Sequence, residues 1–309
     1  MSARWTGHFA VGITAMFLVA LPGCSKDVEI IEGNKAPDYQ GVPTVVVRNY
    51  VNRVFIDLIG REPLDTEMDA AVADLEGSGL SLSARTALVD LLMTSTASIP
   101  GDSSYKHAYY QRQYELYKAR CLEGASDAVI DQFIGIAQQS ALADSLAGNT
   151  AGADAANSEV QRLLDLRACR IEYREGLITI NEVFRRMVSN NVYDQINMGS
   201  FNFVNATFDN LFFRYPTTAE FTAGYDMVEH SAPAILFGSS GQSKTDYVDI
   251  LIASTEFHEG MVRWCYVTFL GRQPSSYEVY THSGPFVNDK DLQKVQRNIL
   301  ISDEYANFQ

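Results

Sequence analysis

Between Val51 and Leu58, apolar side chains fall at Val51, Val54, Phe55 and Leu58, the i, i+3, i+4, i+7 spacing that lines one face of a helix. The spacing returns at Val204, Thr207, Phe208 and Leu211, and again at Val262, Cys265, Tyr266 and Phe269. The polar positions that follow repeat as well. Each stripe is succeeded by an arginine (Arg61, Arg214, Arg272), one further residue, and a proline (Pro63, Pro216, Pro274). Proline disfavours α geometry in the residue before it, so each helix is predicted to stop there. Four residues past each proline stands a glutamate: Glu67, Glu220, Glu278. Thr217-x-x-Glu220 and Ser275-x-x-Glu278 are capping boxes, in which hydroxyl and carboxylate each satisfy a free amide at a helix start. Leu64 holds that place in the first unit, where Asp65, one residue on, is the expected substitute cap.

A second helix follows with Met68, Val72 and Leu75, matched by Phe221, Tyr225 and Val228. A third carries Leu88, Leu92 and Met93, matched by Tyr247, Leu251 and Ile252 and by Val295, Ile299 and Leu300, and ends near Ser95, Ser254 or Ser302. The arginine is expected to pair with the glutamate of the next helix, or to bond the last carbonyls of its own. A turn is needed three times and an active site rarely is, so the recurrence argues for structure over a catalytic Arg–Glu pair. The predicted fold is all-α: three short helical repeat units with a helical insertion, packed as an elongated bundle. The expected boundaries are 46–99, 201–258 and 259–309 for the units and 100–200 for the insertion.

The insertion opens on a helix crowded with tyrosines. The spacing reads first as half-buried packing with the hydroxyls at the rim; beside that reading, Tyr109, Tyr110, Tyr114 and Tyr117 are the candidate binding face, for a glycan or a protein. Gly124 is expected to end this helix, and Ser126 to start another running to about Leu146. "AGNTAGADAANS" (147–158) reads as a small-residue loop, with a helix from about Ser158 to Arg174 behind it. Cys121 and Cys169 sit late in their helices, and packed side by side they would form a disulfide contributing about 2–4 kcal/mol.

The N-terminus changes the picture of where such a body would work. Arg4 precedes an apolar run from Phe9 to Leu21 that is too short for a membrane-spanning helix. The run closes on Leu21-Pro22-Gly23-Cys24, which resembles the bacterial lipobox. The resemblance implies removal of residues 1–23, diacylation of Cys24, and a tether over 24–45 that holds the body on a membrane. Ser25 after the cysteine points to the outer membrane, with the facing side open. Loss of the signal removes Arg4 and no acid, so the net charge passes from −14 to −15. Such a surface repels phosphate backbones, and nucleic acid is excluded as a partner.

Candidate chemistry adds little. His107, His230, His258 and His282 form no ligand spacing, no Cys-x-x-Cys or Cys-x-x-Cys-His occurs, and Gly-x-Ser-x-Gly is absent. "GSSGQSKTD" (238–246) lacks the residue order of a phosphate loop and reads as the variable loop of the second unit. No metal site and no cofactor is expected. His282, at the position of Ala71 and Gly224, is expected at the rim of the core, and Cys265 inside it.

Two resemblances cover about half of the mature chain. "VNRVFIDLIGREPLDTEMDAAVADL", "TALVDLLMTST" and, faintly, "FRRMVSNNVYDQI" resemble a planctomycete-type domain of unknown function that often accompanies cytochrome c modules. "VTFLGRQPSSYE" with "NILISDEYANF" is similar to a short helical domain of unknown function in secreted bacterial proteins, patterned like phycobilisome linker domains. Ser302, Glu304 and Tyr305 match its terminal Ser-x-Glu-aromatic, as do Ser254, Glu256 and Phe257. Neither resemblance implies an established activity. The expectation is a non-enzymatic, outer-membrane-anchored structural or interaction component whose partner is another envelope protein or a surface polymer. A glycan-binding lipoprotein, or an accessory subunit of an envelope redox or hydrolytic system, is the alternative.

Overall fold

The computed structural model describes Tyr39 and residues 41–308; Cys24 and the rest of the predicted lipoprotein signal lie outside the described residues. The described chain is all-α apart from one small hairpin. Its first three helices are α1 (Thr44–Ile59), α2 (Asp65–Gly77) and α3 (Leu82–Thr94). The inserted stretch holds α4 (Tyr105–Cys121), α5 (Asp127–Leu146), α6 (Thr150–Arg174), α7 (Ile180–Val188) and α8 (Asn191–Ile196). After it come α9 (Ser200–Phe212), α10 (Thr218–Glu229), the strands β1 (Ala234–Leu236) and β2 (Ser239–Gly241), and α11 (Lys244–Ala253). The chain ends with α12 (Thr255–Leu270), α13 (Ser276–Asp289), α14 (Leu292–Leu300) and α15 (Asp303–Ala306).

The three predicted stripes form the inner faces of α1, α9 and α12, where every residue quoted for them is buried. These helices end alike, on a residue in the left-handed region just before the arginine. Gly60 (φ 77°) and Gly271 (φ 66°) adopt it freely, having no Cβ. Phe213 (φ 59°) does so at a cost of about 1 kcal/mol. Arg120 offsets this: its guanidinium lies 3.9 Å from the Phe213 ring centroid and donates to the carbonyls of Asp209 and Asn210.

One continuous apolar core runs through the helices and reaches β1 at Leu236. Helix α4 packs against α1, α3, α6 and α7; α7 meets α11, and α9 meets α12. The chain's end returns to its beginning. Helix α14 lies on α3 and α15 on α1, where Tyr305 donates to Asp57 at 2.7 Å. Arg85, buried on α3, donates to Ile301 O at 2.7 Å and to Asp303 at 2.8 Å.

Three local expectations are corrected. Residues 150–158 are not a loop: only Ala147–Asn149 turns, and Asn149 caps α6 by accepting from Gly152 N–H. Alanine is the best helix former, so the small-residue run extends the helix rather than breaking it. Asp65 does not cap α2. Leu64 is the N-cap, and having no side-chain acceptor it leaves half a box, with Glu67 accepting from Leu64 N–H at 2.7 Å. Phe221, Tyr225 and Val228 are only half-buried, because the inner face of α10 centres on Gly224 and Met227. The connector between α10 and α11 folds as the hairpin, with Ala234 opposite Gly241 and Leu236 opposite Ser239.

Candidate functional site

Each arginine corner is built the same way. Arg61 Nη1 and Nη2 donate to the two oxygens of Glu67, both at 2.7 Å. Arg214 holds Glu220 at 2.8 and 2.7 Å, and Arg272 holds Glu278 at 3.0 and 2.6 Å. Nη1 of each arginine also donates to the carbonyl of the next residue, Glu62, Tyr215 or Gln273. The intervening prolines (Pro63, Pro216, Pro274) direct the chain into the second helix, whose start the same glutamate caps through the N–H of Leu64, Thr217 or Ser275. Each guanidinium lies beside an aromatic ring of the preceding helix: Phe55 at 5.8 Å, Phe208 at 5.2 Å, Tyr266 at 5.1 Å. Hydrogen bonds from Arg214 and from Arg272 hold the Glu220 and Glu278 carboxyls down at about 2. Burial alone would raise Glu67, but the bonds from Arg61 and Tyr105 bring it to about 2 as well.

A second carboxylate distinguishes two of the corners. Arg214 turns its other edge, Nε and Nη2, to Glu256, with Nη2 at 2.8 Å. Arg272 does the same to Glu304, at 2.5 and 2.6 Å. Both glutamates belong to the Ser-x-Glu-aromatic stretches, in which Ser254 and Ser302 cap α12 and α15. Counted from Ser95, the equivalent residue in the first unit is Ala97. There Tyr105 supplies the additional contact, donating to Glu67 at 2.6 Å.

Beside that first corner lies an open groove of ≈ 590 Å³, lined by Phe55, Ala71, Leu75, Leu88, Leu91 and Tyr105 among others. Its apolar floor comes from α2 and α3. The sequence pattern pointed to the faces of these helices but not to the gap between them. The signal that was present is the run of alanines (Ala70, Ala71, Ala84, Ala87) on the two facing helices, which leaves the space unfilled.

The tyrosines of α4 are corrected as a binding face. Tyr109, Tyr114 and Tyr117 are no more than 2% exposed, so no ligand can stack on them. Helix α4 is covered by α1, α3, α6 and α7, and the rings turn into that core. Tyr109 donates to Gln296 at 2.5 Å, and Gln296 to Gln113 at 2.8 Å, a polar thread inside the apolar core. Tyr110 is half-buried, its ring 5.2 Å from that of Tyr173. The exposed tyrosines are Tyr215, Tyr277 and Tyr280.

The Cys121–Cys169 disulfide is likewise corrected: both are free, buried thiols, as is Cys265. The two helices pack antiparallel, with Gln111 facing Arg170 and Tyr110 facing Tyr173. In that register Cys169 stands level with the middle of α4, about two turns or roughly 12 Å short of Cys121, beyond the reach of a disulfide. Burial pushes the Cys121 and Cys169 thiols up to about 12, and Cys265 higher, so none is a ready nucleophile. His258 donates its Nδ1–H to Ser254 O (3.1 Å), and His282 meets the Tyr266 hydroxyl at 3.2 Å; burial lowers the pKa of both. Among the described residues no group of three His, Cys, Asp or Glu is placed to hold a metal.

No family model, no curated protein and no solved structure matches this chain.

Proposed function

We propose that the chain is a bacterial envelope lipoprotein, tethered to the outer membrane through acylated Cys24, whose helical body is a non-enzymatic component that holds another envelope protein. Support for the tether is the Leu21-Pro22-Gly23-Cys24 stretch behind its apolar run. The observation that carries the interaction reading is the difference among the corners. At two of them the chain's own carboxylates close the arginine, while the first stands beside an open apolar groove of ≈ 590 Å³. The chemically versatile groups are otherwise committed: the corner arginines to carboxylates, the thiols to the core. The resemblance to cytochrome-associated domains keeps an accessory role in a larger envelope assembly within this reading.

Two experiments test it. Metabolic labelling with an alkynyl palmitate should mark the wild-type chain and leave Cys24→Ala unlabelled and shed from the membrane fraction. Equal membrane retention of the variant contradicts the tether. In-cell crosslinking should return one discrete envelope protein, and recovery of the chain alone contradicts the interaction role.

A further inference from the structure

The second unit covers part of the groove that the first leaves open, a hollow of ≈ 490 Å³ remaining at Ile250. Residues Phe55, Asp74, Ala87 and Leu91 at the first groove correspond in the repeat pattern to Phe208, Met227, Asp246 and Ile250. Over those residues lies the β1–β2 hairpin. Phe237, at its turn, packs on Phe208 and Phe212 with centroids 6.1 and 5.5 Å apart. Leu236 beside it is buried, and Gly241 sits so close that an added Cβ would stand 3.0 Å from Ile250 and 3.2 Å from Met227. Glu256, the second carboxylate on Arg214, borders the same hollow as Phe237. An apolar turn and an adjacent carboxylate therefore complete this corner side by side. In the third unit the larger His282 stands where Ala71 and Gly224 stand, half-buried and 3.2 Å from the Tyr266 hydroxyl.

Neither device exists in the first unit. The α2–α3 connector is only residues 78–81, too short to fold back over the groove. Ala97 replaces the glutamate, so Arg61 faces one carboxylate where Arg214 and Arg272 face two. That corner carries one negative charge fewer, and the Nε edge of Arg61 receives no carboxylate among the described residues. The groove opens at Leu91, 46% exposed, and at the exposed Ala87, above the buried Phe55, Leu75 and Leu88.

We infer that the groove between α2 and α3 docks a turn of a partner protein that presents two adjacent large apolar side chains with an aspartate or glutamate beside them. The apolar pair lies on Ala87 and Leu91, and the carboxylate takes the Nε edge of Arg61, which holds none of the chain's own described carboxylates. This rests on the interaction reading above and specifies the partner's chemistry.

The test places the photo-crosslinking residue p-benzoylphenylalanine at position 91 of the full-length, acylated chain in its own cells. The expected product is one discrete adduct whose crosslinked peptide carries adjacent apolar or aromatic residues with an acid close by. Ala87→Arg, an exposed change on the same groove wall, should cut the yield by about tenfold or more, with the melting temperature held. An adduct to a second copy of this chain, to residues 25–38 of the same chain, or to many unrelated peptides overturns the inference. So does an Ala87→Arg yield equal to wild type. If position 91 is silent while a probe at Tyr277 or Leu177, both exposed and away from the groove lining, captures one partner, the groove is wrong and the interaction reading stands. Silence at all three positions ends both.

Discussion

The first corner and the second use the same turn for different ends. At both, an αL residue ends the helix, an arginine clamps the glutamate that caps the next one, and a proline separates them. The second goes further. Gly260 lets α12 settle against the end of α9: an added Cβ would penetrate Leu211 O and stand 2.9 Å from Phe212 Cα. That approach delivers Glu256 to Arg214 and commits the corner wholly to the fold. Behind the first corner stands α4, which packs on α1 and brings a tyrosine, Tyr105, where α12 brings a carboxylate, and an apolar hollow lies beside it. The turn is therefore a generic way to join two helices; what differs is whether the chain itself covers the result.

Breaking the second corner should cost more than breaking the first. Gly260→Ala should destabilise by about 3 kcal/mol in urea titration, since backbone rather than a flexible side chain obstructs the methyl. Asn49→Ala, the equivalent exposed position of α1, should change stability by less than about 0.5 kcal/mol. Equal effects would deny that α12 is specially close. Next, Arg214→Ala should cost roughly 2–3 kcal/mol and Arg61→Ala roughly 1–2, because one orphans two carboxylates and the other one. The acid limb tells the same story. Glu67, Glu220 and Glu278 are held near 2, below their ordinary value of 4.5. Their stabilising contribution is complete above about pH 4.5 and disappears as pH falls towards 2. Because Tyr105 also holds Glu67 down while Glu220 depends first on Arg214, Arg214→Ala should flatten that limb more than Arg61→Ala in an acid titration followed by circular dichroism.

Smaller effects sharpen the contrast at the grooves. Phe237→Ala should cost about 1–2 kcal/mol, the ring being partly exposed, and should raise binding of an apolar dye by widening the hollow beside it. Leu91→Asp, in the groove already open, should shift stability by less than about 0.5 kcal/mol and lower dye binding. A large loss on Leu91→Asp would mean that the residue is packed within the fold.

Local chemistry was readable in the sequence and long-range neighbours were not. The Arg-x-Pro-x-x-x-Glu spacing specifies a bond over six residues, within reach of any turn. Glu256 and Glu304 were visible as parts of Ser-x-Glu-aromatic, yet their arginines lie 42 and 32 residues away and nothing local names them. The tyrosines of α4 have the spacing of a stripe, but periodicity cannot say how many helices cover a stripe, and here four do. The proposed disulfide failed on register, which depends on how α4 and α6 slide along each other. The alanine-rich 150–158 stretch misled because small residues suggest a loop tip, while alanine behind a capping asparagine propagates a helix. The groove is a consequence of what is missing, a long connector and one glutamate, and appears only when the three units are compared in space.

The central claim is that Glu256 closes the second corner by pairing with Arg214. A double-mutant cycle on Arg214→Ala and Glu256→Ala, read by urea unfolding at neutral pH, measures it directly. A coupling of about 1–2 kcal/mol is expected, given the two-point contact and its partial burial. A coupling indistinguishable from zero would contradict it.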